Sequence, residues 1–294
     1  MISDRAIGRL REAAAWPALD ARYEITGVAG HGGMGTVYEA RDHVLDRDVA
    51  VKVLDVADQK GSRAARLRQE AHILARLDHP GIVPVHDAGT LDDGRTFYVM
   101  KLLRGARLDD PRHASAPLAA RLDTFSRILD AVAFAHAQGV VHRDLKPENV
   151  MIGRFGEVYV MDWGVAQDGR DDLERVVVGT PGFMAPEQAR AQAVDHRADI
   201  YALGALLGHF AADGPPALRA IARKASAAER ADRYQSVETF AEDLARFRNQ
   251  DPVDAYRESA VERLLRLYRR YELPVLLLLA YVVMRFVLPA LRGI

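Results

Sequence analysis

Residues 141–149, with the sequence V-H-R-D-L-K-P-E-N, constrain this chain more than any other stretch. They lie between an apolar segment of helical periodicity and a β-type run that ends in D-W-G, which predicts a loop held by two regular elements. The loop carries a carboxylate in Asp144, an ammonium in Lys146 and an amide in Asn149. Phosphoryl transfer uses these groups to orient a hydroxyl, to balance the moving phosphoryl charge and to bind Mg²⁺. The stretch therefore indicates phosphoryl-transfer chemistry.

A glycine-rich segment, A-G-H-G-G-M-G-T-V, occupies residues 29–37. Its Gly30, Gly32 and Gly35 form the pattern G-x-G-x-x-G, in which missing Cβ atoms let backbone N–H groups approach phosphate oxygens. A plain glycine turn has the same letters, and so does a dinucleotide-binding turn when a helix follows. Here T-V-Y-E-A-R continues as a strand. This continuation favours a β-hairpin over the dinucleotide-binding turn.

A strand and a helix follow the glycines, and each places one charged residue among apolar ones. Residues 48–54 alternate, with Val49, Val51 and Val53 on one face and Ala50, Lys52 and Leu54 on the other. A helix predicted over residues 62–77 has Glu70 beside its apolar stripe of Leu67, Ala71, Leu74 and Leu77. A buried carboxylate needs a partner. The alternative is that the aliphatic part of the Glu70 side chain packs on the helix surface while its carboxylate reaches solvent.

In this order, the motifs resemble those of the protein kinase family, and Lys146 after Asp144 is similar to its Ser/Thr-specific branch, as in bacterial eukaryotic-like Ser/Thr kinases. The resemblance implies an α+β, bilobal fold with a small antiparallel β lobe plus one helix and a larger, mainly helical lobe, shortened after the A-P-E region. The predicted parts are an N-terminal helical extension (1–22), a kinase domain (23–248), a linker with a basic amphipathic juxtamembrane helix (249–271) and a transmembrane helix (272–291).

The resemblance implies ATP and Mg²⁺ as cofactors and assigns a role to each polar residue of the catalytic site. Asp144 would orient the substrate hydroxyl, and Lys146 would stabilise the transferred phosphoryl group. Asn149 and Asp162 would hold Mg²⁺. Thr180, in G-T-P-G-F-M-A-P-E, would brace Asp144 and Lys146.

The nucleotide site is likewise implied by the resemblance. Lys52, paired with Glu70, would reach the α- and β-phosphates; a solvent-facing Lys is the alternative. Met100 would lie behind adenine, and the backbone of Lys101 and Leu103 would bind it. Many relatives have an acidic residue where Lys101 stands, so we expect altered electrostatics near the ribose. The other expected nucleotide contacts are Ala29, Gly30, Gly32, Gly35, Val37 and Ala50.

Further residues have expected structural roles. Glu187 would form a buried ion pair with Arg233, and Asp199 would hold the backbone of the catalytic loop. His136, on an apolar helix face, is expected to be a packed or hydrogen-bonded core residue. The motif D-W-G departs from the usual D-F-G, and Trp163 would fill the same apolar slot with more bulk. We expect this bulk to make the flipped, inactive geometry harder to reach.

Two segments depart from the family pattern. Residues 165–178 contain no Ser, Thr or Tyr but do contain Asp168, Asp171, Asp172 and Glu174. One hypothesis is that this acidic cluster replaces a phosphate by pairing with Arg143; a merely solvated acidic loop is equally consistent. Only 28 residues separate Gly204 from Arg233. The lobe is therefore expected to lack about one helix and its loop, which puts the usual docking of protein substrates in doubt.

The C-terminal region predicts a membrane anchor. Residues 259–271 have the pattern of a basic amphipathic helix, and residues 273–291 form an almost wholly apolar run interrupted by Arg285. We expect a single-pass membrane protein with a cytoplasmic kinase domain, and a homodimer is a further expectation. A re-entrant, interfacial or dimer-buried helix is the alternative. A net charge of −1 argues against nucleic acid as a partner, and zero Cys excludes disulfides and thiolate metal sites.

The combined motifs predict a protein Ser/Thr kinase that transfers the ATP γ-phosphate to Ser or Thr hydroxyls of protein substrates, including itself. A membrane-tethered pseudokinase that binds nucleotide without turnover is the first alternative, favoured by the shortened lobe. It is opposed by four intact residues, Lys52, Asp144, Asn149 and Asp162. A small-molecule phosphotransferase is the second alternative, but it would not need the substrate-side loop at residues 179–187.

Overall fold

A computed structural model of the 294-residue chain describes residues 16–32, 35–54, 62–163, 167–168, 179–264, 276–277, 280–281 and 283–284. Of the predicted N-terminal helical extension (1–22), residues 16–22 are described and form no helix, whereas residues 1–15 lie outside the described ranges. So do the side chains of the acidic cluster at residues 168–174 and most of the apolar C-terminal run.

The small lobe is a five-stranded antiparallel sheet with strand order β1-β2-β3-β5-β4. Its strands are β1 (Tyr23–Gly32), β2 (Gly35–Asp42), β3 (Arg47–Val53), β4 (Val85–Thr90) and β5 (Thr96–Lys101). Alternation along β3 follows the sequence prediction, because Val49, Val51 and Val53 belong to a separate core on one face of the sheet. Leu54, next after the strand, joins the main core instead. Lys52 therefore lies on the face of the sheet that meets the main core.

Helix α1 (Ser62–Arg76) covers that face of the sheet. Its predicted apolar stripe of Leu67, Ala71, Leu74 and Leu77 is buried in the main core. Glu70 is only 2% exposed, so its carboxylate does not reach solvent along the stem. The helix thus carries a buried charge toward the sheet.

The large lobe combines helices with short strands. Its helices are α2 (Pro111–Ala114), α3 (Leu118–Ala137), α4 (Pro186–Ala189), α5 (Arg197–Phe210), α6 (Pro216–Ala225) and α7 (Val237–Arg248). Its strands are β6 (Gly105–Arg107), β7 (Val140–Val141), β8 (Val150–Gly153), β9 (Val158–Val160) and β10 (Gln167–Asp168). Strands β6, β8 and β9 form one antiparallel sheet, and β7 pairs with β10. Helix α3 is central, since Phe125, Ile128, Leu129 and Val132, which share one face of the helix, are fully buried. The predicted catalytic loop runs from the end of β7 to the start of β8.

Helices α5 and α6 are joined by a short connection, residues 211–215. They touch at Gly204, where an added Cβ would lie 2.6 Å from the backbone nitrogen of Ser226. Only glycine permits this approach, so the two helices pack closely at this point.

The chain after α7 packs back onto the lobe. Val253 is buried in the main core. The buried carboxylate of Asp243 accepts hydrogen bonds from the backbone nitrogens of Asp254 and Ala255, at 2.6 and 3.1 Å, and from the Tyr234 hydroxyl at 2.6 Å. This part of the predicted linker is therefore held by the kinase-like lobe. The domain boundary at residue 248 stays a prediction.

The prediction of a membrane-spanning helix, and with it of a single-pass membrane protein, is wrong. Among the residues that the structure describes, no helix is long and apolar enough to cross a bilayer. The apolar run at residues 273–291 would reach only about 28 Å as a helix, whereas the hydrocarbon core is about 30 Å thick, and Arg285 adds the cost of a charge. Apolar composition was therefore too weak a basis for the prediction.

A buried ion pair ties the A-P-E segment to the C-terminal part of the large lobe. Two guanidinium nitrogens of Arg233 donate to the two carboxylate oxygens of Glu187 at 2.7 and 2.9 Å. Both side chains are almost fully buried. Burial raises the pKa of Glu187, but the hydrogen bonds and charge of Arg233 outweigh it and the pKa lies below its usual value.

We expect Glu187→Gln to lower the free energy of unfolding by about 3–5 kcal/mol at pH 7, because Arg233 would stay buried without a counter-charge. The folded-state pKa is lowered, so this contribution is complete above the unfolded-state value of about 4.3 and is lost as the pH falls through the folded-state pKa. Urea unfolding at several pH values measures both effects. Glu238→Gln, at an exposed position of α7, is the control; equal losses in the two variants would contradict the account.

Candidate active site

Asp199, at the start of α5, holds the backbone of the catalytic loop. Its two carboxylate oxygens accept hydrogen bonds from the backbone nitrogens of His142 and Arg143, both at 2.8 Å. His136 contacts the same carboxylate through Nε2 at 2.8 Å, as expected of a hydrogen-bonded core histidine, whereas its Nδ1 is buried without a hydrogen-bond partner. Burial raises the pKa of Asp199, but these hydrogen bonds and nearby positive charges outweigh it, so the pKa lies below its usual value. An ionised anchor thus fixes a loop in which Arg143 has a φ of 71°.

The polar residues of the loop meet in one hydrogen-bonded cluster. Thr180 Oγ1 donates to Asp144 Oδ1 at 2.9 Å. Lys146 Nζ lies 2.9 Å from Asp144 Oδ2 and 2.8 Å from Thr180 Oγ1. Asn149 Nδ2 donates to the backbone oxygen of Asp144 at 2.8 Å, which leaves the amide oxygen of Asn149 as its ligand atom. The structure therefore brings these four predicted residues together.

A second cluster links the two lobes. Lys52 Nζ lies 2.9 Å from both carboxylate oxygens of Glu70 and 3.4 Å from Asp162 Oδ1. Burial lowers the pKa of Lys52, but the charges of Glu70 and Asp162 outweigh it and the pKa lies above its usual value. The ammonium is therefore retained. Asp162 has a φ of 60°, and its side chain is half exposed, so one carboxylate oxygen can face a ligand.

Tyr98 belongs to this cluster, although the sequence analysis missed it. Its hydroxyl donates to Glu70 Oε1 at 3.0 Å, and burial followed by the Glu70 charge raises the pKa of the phenol well above its usual value. Tyr98 stands directly opposite Lys52 on the neighbouring strand β5. The feature that identifies Tyr98 is its pairing with Lys52 across the strands. This pairing follows from the strand register and cannot be read from a local sequence motif.

Trp163 of D-W-G is held on two sides. It is 1% exposed, and its ring centroid lies 4.6 Å from that of His142. The indole nitrogen donates to the backbone oxygen of Val160 at 3.2 Å, a hydrogen bond that Phe could not make. His142 Nε2 lies 2.9 Å from the backbone oxygen of Met161. The residues on both sides of Asp162 are thus fixed by hydrogen bonds.

The predicted nucleotide-binding residues belong to strands of the small lobe and to the segment that follows β5. Gly35 is required by packing, because an added Cβ would lie 2.1 Å from the backbone oxygen of Val53. At Gly30 an added Cβ would meet no atom within 4 Å, so packing does not explain that glycine. Ala50 is buried opposite Met100 in the adjacent strand. The positions of the remaining predicted contacts are strand β1 for Ala29, Gly30 and Gly32, strand β2 for Val37, and the segment after β5 for Leu103.

Lys101, at the end of β5, contacts the large lobe with its side chain. Its Nζ donates to the hydroxyl of Tyr159 at 2.5 Å and lies 4.9 Å from the centroid of the same ring. The charge of Lys101 is therefore placed at strand β9. Its predicted effect on electrostatics near the ribose stays a prediction.

The donor set at the mouth of the site fits a divalent cation that is completed by phosphate. Within the described residues, no group of three His, Cys, Asp or Glu side chains could hold a metal alone. Mg²⁺ is usually bound by one or two carboxylates together with substrate phosphates and water. The carboxylate of Asp162 and the amide oxygen of Asn149 are suitable ligands of that kind.

A two-lobed fold with these clusters defines the class of protein. Residues 23–267 match the family described as the protein kinase domain, and the chain belongs to this family. The crystal structure of the Mycobacterium tuberculosis PknI kinase domain is similar, with a TM-score of 0.61 and 28% identity over 79% of this chain and 98% of that chain.

Curated relatives point to the Ser/Thr branch. The DNA damage-responsive serine/threonine-protein kinase RqkA of Deinococcus radiodurans is 42% identical over 206 residues, which are 67% of this chain and 31% of RqkA. The serine/threonine-protein kinase PknB of Mycolicibacterium smegmatis is 40% identical over 210 residues, 67% of this chain and 33% of PknB. The chain thus spans about a third of the length of these relatives. The predicted resemblance to bacterial Ser/Thr kinases is confirmed.

The buried pair of Lys52 and Glu70 can be tested by two substitutions that differ in charge. We expect Glu70→Gln to lower the free energy of unfolding by about 3–5 kcal/mol, because it leaves the ammonium without its main counter-charge. Tyr98→Phe keeps both charges and removes one hydrogen bond, so we expect a loss of about 1 kcal/mol. Urea unfolding at pH 7.5 compares the two. Equal losses in the free energy of unfolding would mean that the charge pair of Lys52 and Glu70 stabilises the fold no more than one hydrogen bond does.

Proposed function

We propose that this chain is a protein serine/threonine kinase that transfers the γ-phosphate of ATP to Ser and Thr hydroxyls of protein substrates, itself included. The observation that carries the proposal is the cluster of Asp144, Lys146 and Thr180, in which each side chain contacts the other two at 2.8–2.9 Å. This cluster places a carboxylate and an ammonium side by side on a loop whose backbone is hydrogen-bonded to Asp199. This pairing suits the orientation of a hydroxyl beside a phosphoryl group.

Each residue then has a distinct task. Asp144 accepts a hydrogen bond from the acceptor hydroxyl and takes its proton. Lys146 balances the negative charge of the transferred group. Thr180 orients the Asp144 carboxylate. Lys52, held by Glu70, binds the α- and β-phosphates, and Met100 with the backbone of Lys101 and Leu103 receives the adenine.

Mg²⁺ is the divalent cation that we propose for the site. Asn149 and Asp162 would hold it, and the ion would supply charge neutralisation at the phosphate oxygens when bound. The two ligands stand on separate segments. Asn149 belongs to the catalytic loop, whereas Asp162 follows strand β9 and is tied to the small lobe through Lys52. The metal site therefore depends on both clusters.

The alternatives are less well supported. A pseudokinase would not need all four of the residues Lys52, Asp144, Asn149 and Asp162, and similar curated proteins are named Ser/Thr kinases. A small-molecule phosphotransferase would not need residues 179–187, which place Thr180 against the catalytic loop. Proteins remain the proposed acceptors of the phosphoryl group. Nucleic acid is not a proposed partner. A homodimer stays a prediction.

Asp144→Asn tests the proposal directly. We expect the full chain to transfer labelled γ-phosphate from Mg-ATP to Ser or Thr of itself and of a basic generic protein. The variant should lose about 10²–10⁴-fold in rate, because the amide cannot take the proton. Asp92→Asn, in an exposed turn, is the matched control and should keep the wild-type rate.

Two outcomes would overturn the proposal. Wild-type protein that binds ATP by titration calorimetry but transfers no phosphate would be a pseudokinase. Transfer to small hydroxylated acceptors in preference to protein would indicate a small-molecule phosphotransferase.

A further inference from the structure

A cavity of about 470 Å³ lies between α5 and α6, and none of the catalytic or nucleotide residues lines it. Its lining is mostly small, including Gly204, Gly208 and Ala222, and two arginines, Arg219 and Arg223, complete the wall. The close contact of the two helices at Gly204 closes one side. At Gly208 an added Cβ would meet no atom within 4 Å, so this side is open. We call the feature the α5/α6 groove.

The groove exists because the connection between its helices is short. Only residues 211–215 join α5 to α6, and within the described part of the chain no further element is inserted between these two helices. A longer insertion would have room to cover the Gly and Ala surface. The shortened lobe thus leaves a small apolar floor accessible.

Among the described residues, the two arginines of the groove have no counter-charge. Arg219 and Arg223 are exposed and four residues apart on α6, so their side chains share one helix face. No carboxylate lines the groove, and neither arginine forms an ion pair or hydrogen bond with any side chain that the structure describes. Other arginines of the same lobe are paired, for example Arg246 with Asp254 and Arg248 with Asp123. The basic wall is therefore a local excess of positive charge.

We propose that the α5/α6 groove docks an acidic segment of protein substrates. Small side chains such as Ala would enter the Gly and Ala floor, and two carboxylates one helical turn apart would pair with Arg219 and Arg223. The proposal rests on the proposed kinase function and names a substrate feature for it. It also supplies a docking surface in a lobe whose usual docking region is shortened.

An acidic protein segment fits the groove better than nucleic acid does. Nucleic-acid binding draws its affinity from many phosphate contacts along a basic stripe. The groove offers two cations beside an apolar floor, and the whole chain has a net charge of −1. A few carboxylates with small apolar residues between them match this arrangement.

The position of the groove suits a tether to the catalytic loop. Asp199, which anchors that loop, and Gly208, at the groove, are nine residues apart on α5, or roughly 14 Å along the helix axis. A linker of about ten residues can span this distance with slack. Docking would therefore raise the local concentration of an acceptor hydroxyl without any contact to the reacting atoms.

Binding is tested first, with the full chain and a fluorescein-labelled helical peptide of Glu and Ala in which Glu recurs every fourth residue. A peptide with Gln in place of Glu is the probe control. We expect the Glu peptide to bind at least tenfold more tightly than the Gln peptide, measured by fluorescence anisotropy. Arg219→Glu with Arg223→Glu, and separately Gly208→Leu, should each remove this difference. Gly208→Leu fills the groove and raises helix propensity, so it should not impair folding.

Arg257→Glu with Arg263→Glu is the matched charge control, because it also reverses two arginines and both are exposed and lie outside the groove. It should bind the Glu peptide as the wild type does. Equal affinity of the wild type for both peptides, or full affinity in the two groove variants, would overturn the docking proposal. Tighter binding of a single-stranded DNA oligonucleotide than of the Glu peptide would overturn it as well.

Transfer kinetics then separate docking from catalysis. The acceptor is one Ser-containing peptide, with and without the Glu and Ala segment on a ten-residue Gly/Ser linker. We expect the segment to lower KM about tenfold in the wild type and in the control with Arg257→Glu and Arg263→Glu, but not in the groove variants. The value of kcat/KM for the plain acceptor should be the same in all of them. Groove-dependent binding with no transfer to any acceptor would overturn the proposed kinase function, whereas transfer that ignores the segment would overturn only substrate docking.

Discussion

One buried carboxylate, that of Asp199, fixes the catalytic loop on which the proposed chemistry depends. Its oxygens accept hydrogen bonds from the backbone N–H groups of His142 and Arg143, and one of them also contacts His136. A non-glycine residue with a φ of 71° is strained by about 1–2 kcal/mol, so the loop needs such an anchor. The anchor sits on α5, one of the most deeply buried helices of the large lobe. A rigid helix thus sets the position of Asp144.

A second constraint joins the two lobes. Lys52 on β3 is held by Glu70 of α1 and also contacts Asp162, which belongs to the large lobe. Trp163 and His142 connect Asp162 in turn to the catalytic loop through ring contact and backbone hydrogen bonds. The groups proposed to hold phosphates, metal and hydroxyl therefore form one connected network. A structural change in either lobe would therefore alter the positions of the groups proposed to hold the phosphates, the metal and the hydroxyl.

Local patterns predicted much of this arrangement. Period-2 alternation in β3 predicted the strand face of Lys52, and the stripe of α1 predicted that Glu70 is buried. The resemblance to protein kinases paired the two residues, and the structure brings them to 2.9 Å. Contacts outside the family motifs were not predicted, such as those of Tyr98 with Glu70 and of Lys101 with Tyr159, because neither local periodicity nor the motifs encode them. Hydropathy failed at the C-terminus, where an apolar run alone does not establish a span.

The most direct test of the account measures backbone amide hydrogen exchange at His142 and Arg143 in Asp199→Asn, beside phosphate transfer by the same protein. The two amides bond separate oxygens of Asp199, and Asn has an NH2 group, which cannot accept, in place of one of these oxygens, so one amide loses its acceptor. The account predicts that at least one of these amides exchanges at least 100-fold faster, that the central helix α3 stays protected, and that transfer is largely lost. Unchanged protection of both amides together with full transfer would contradict the claim that Asp199 holds the catalytic loop.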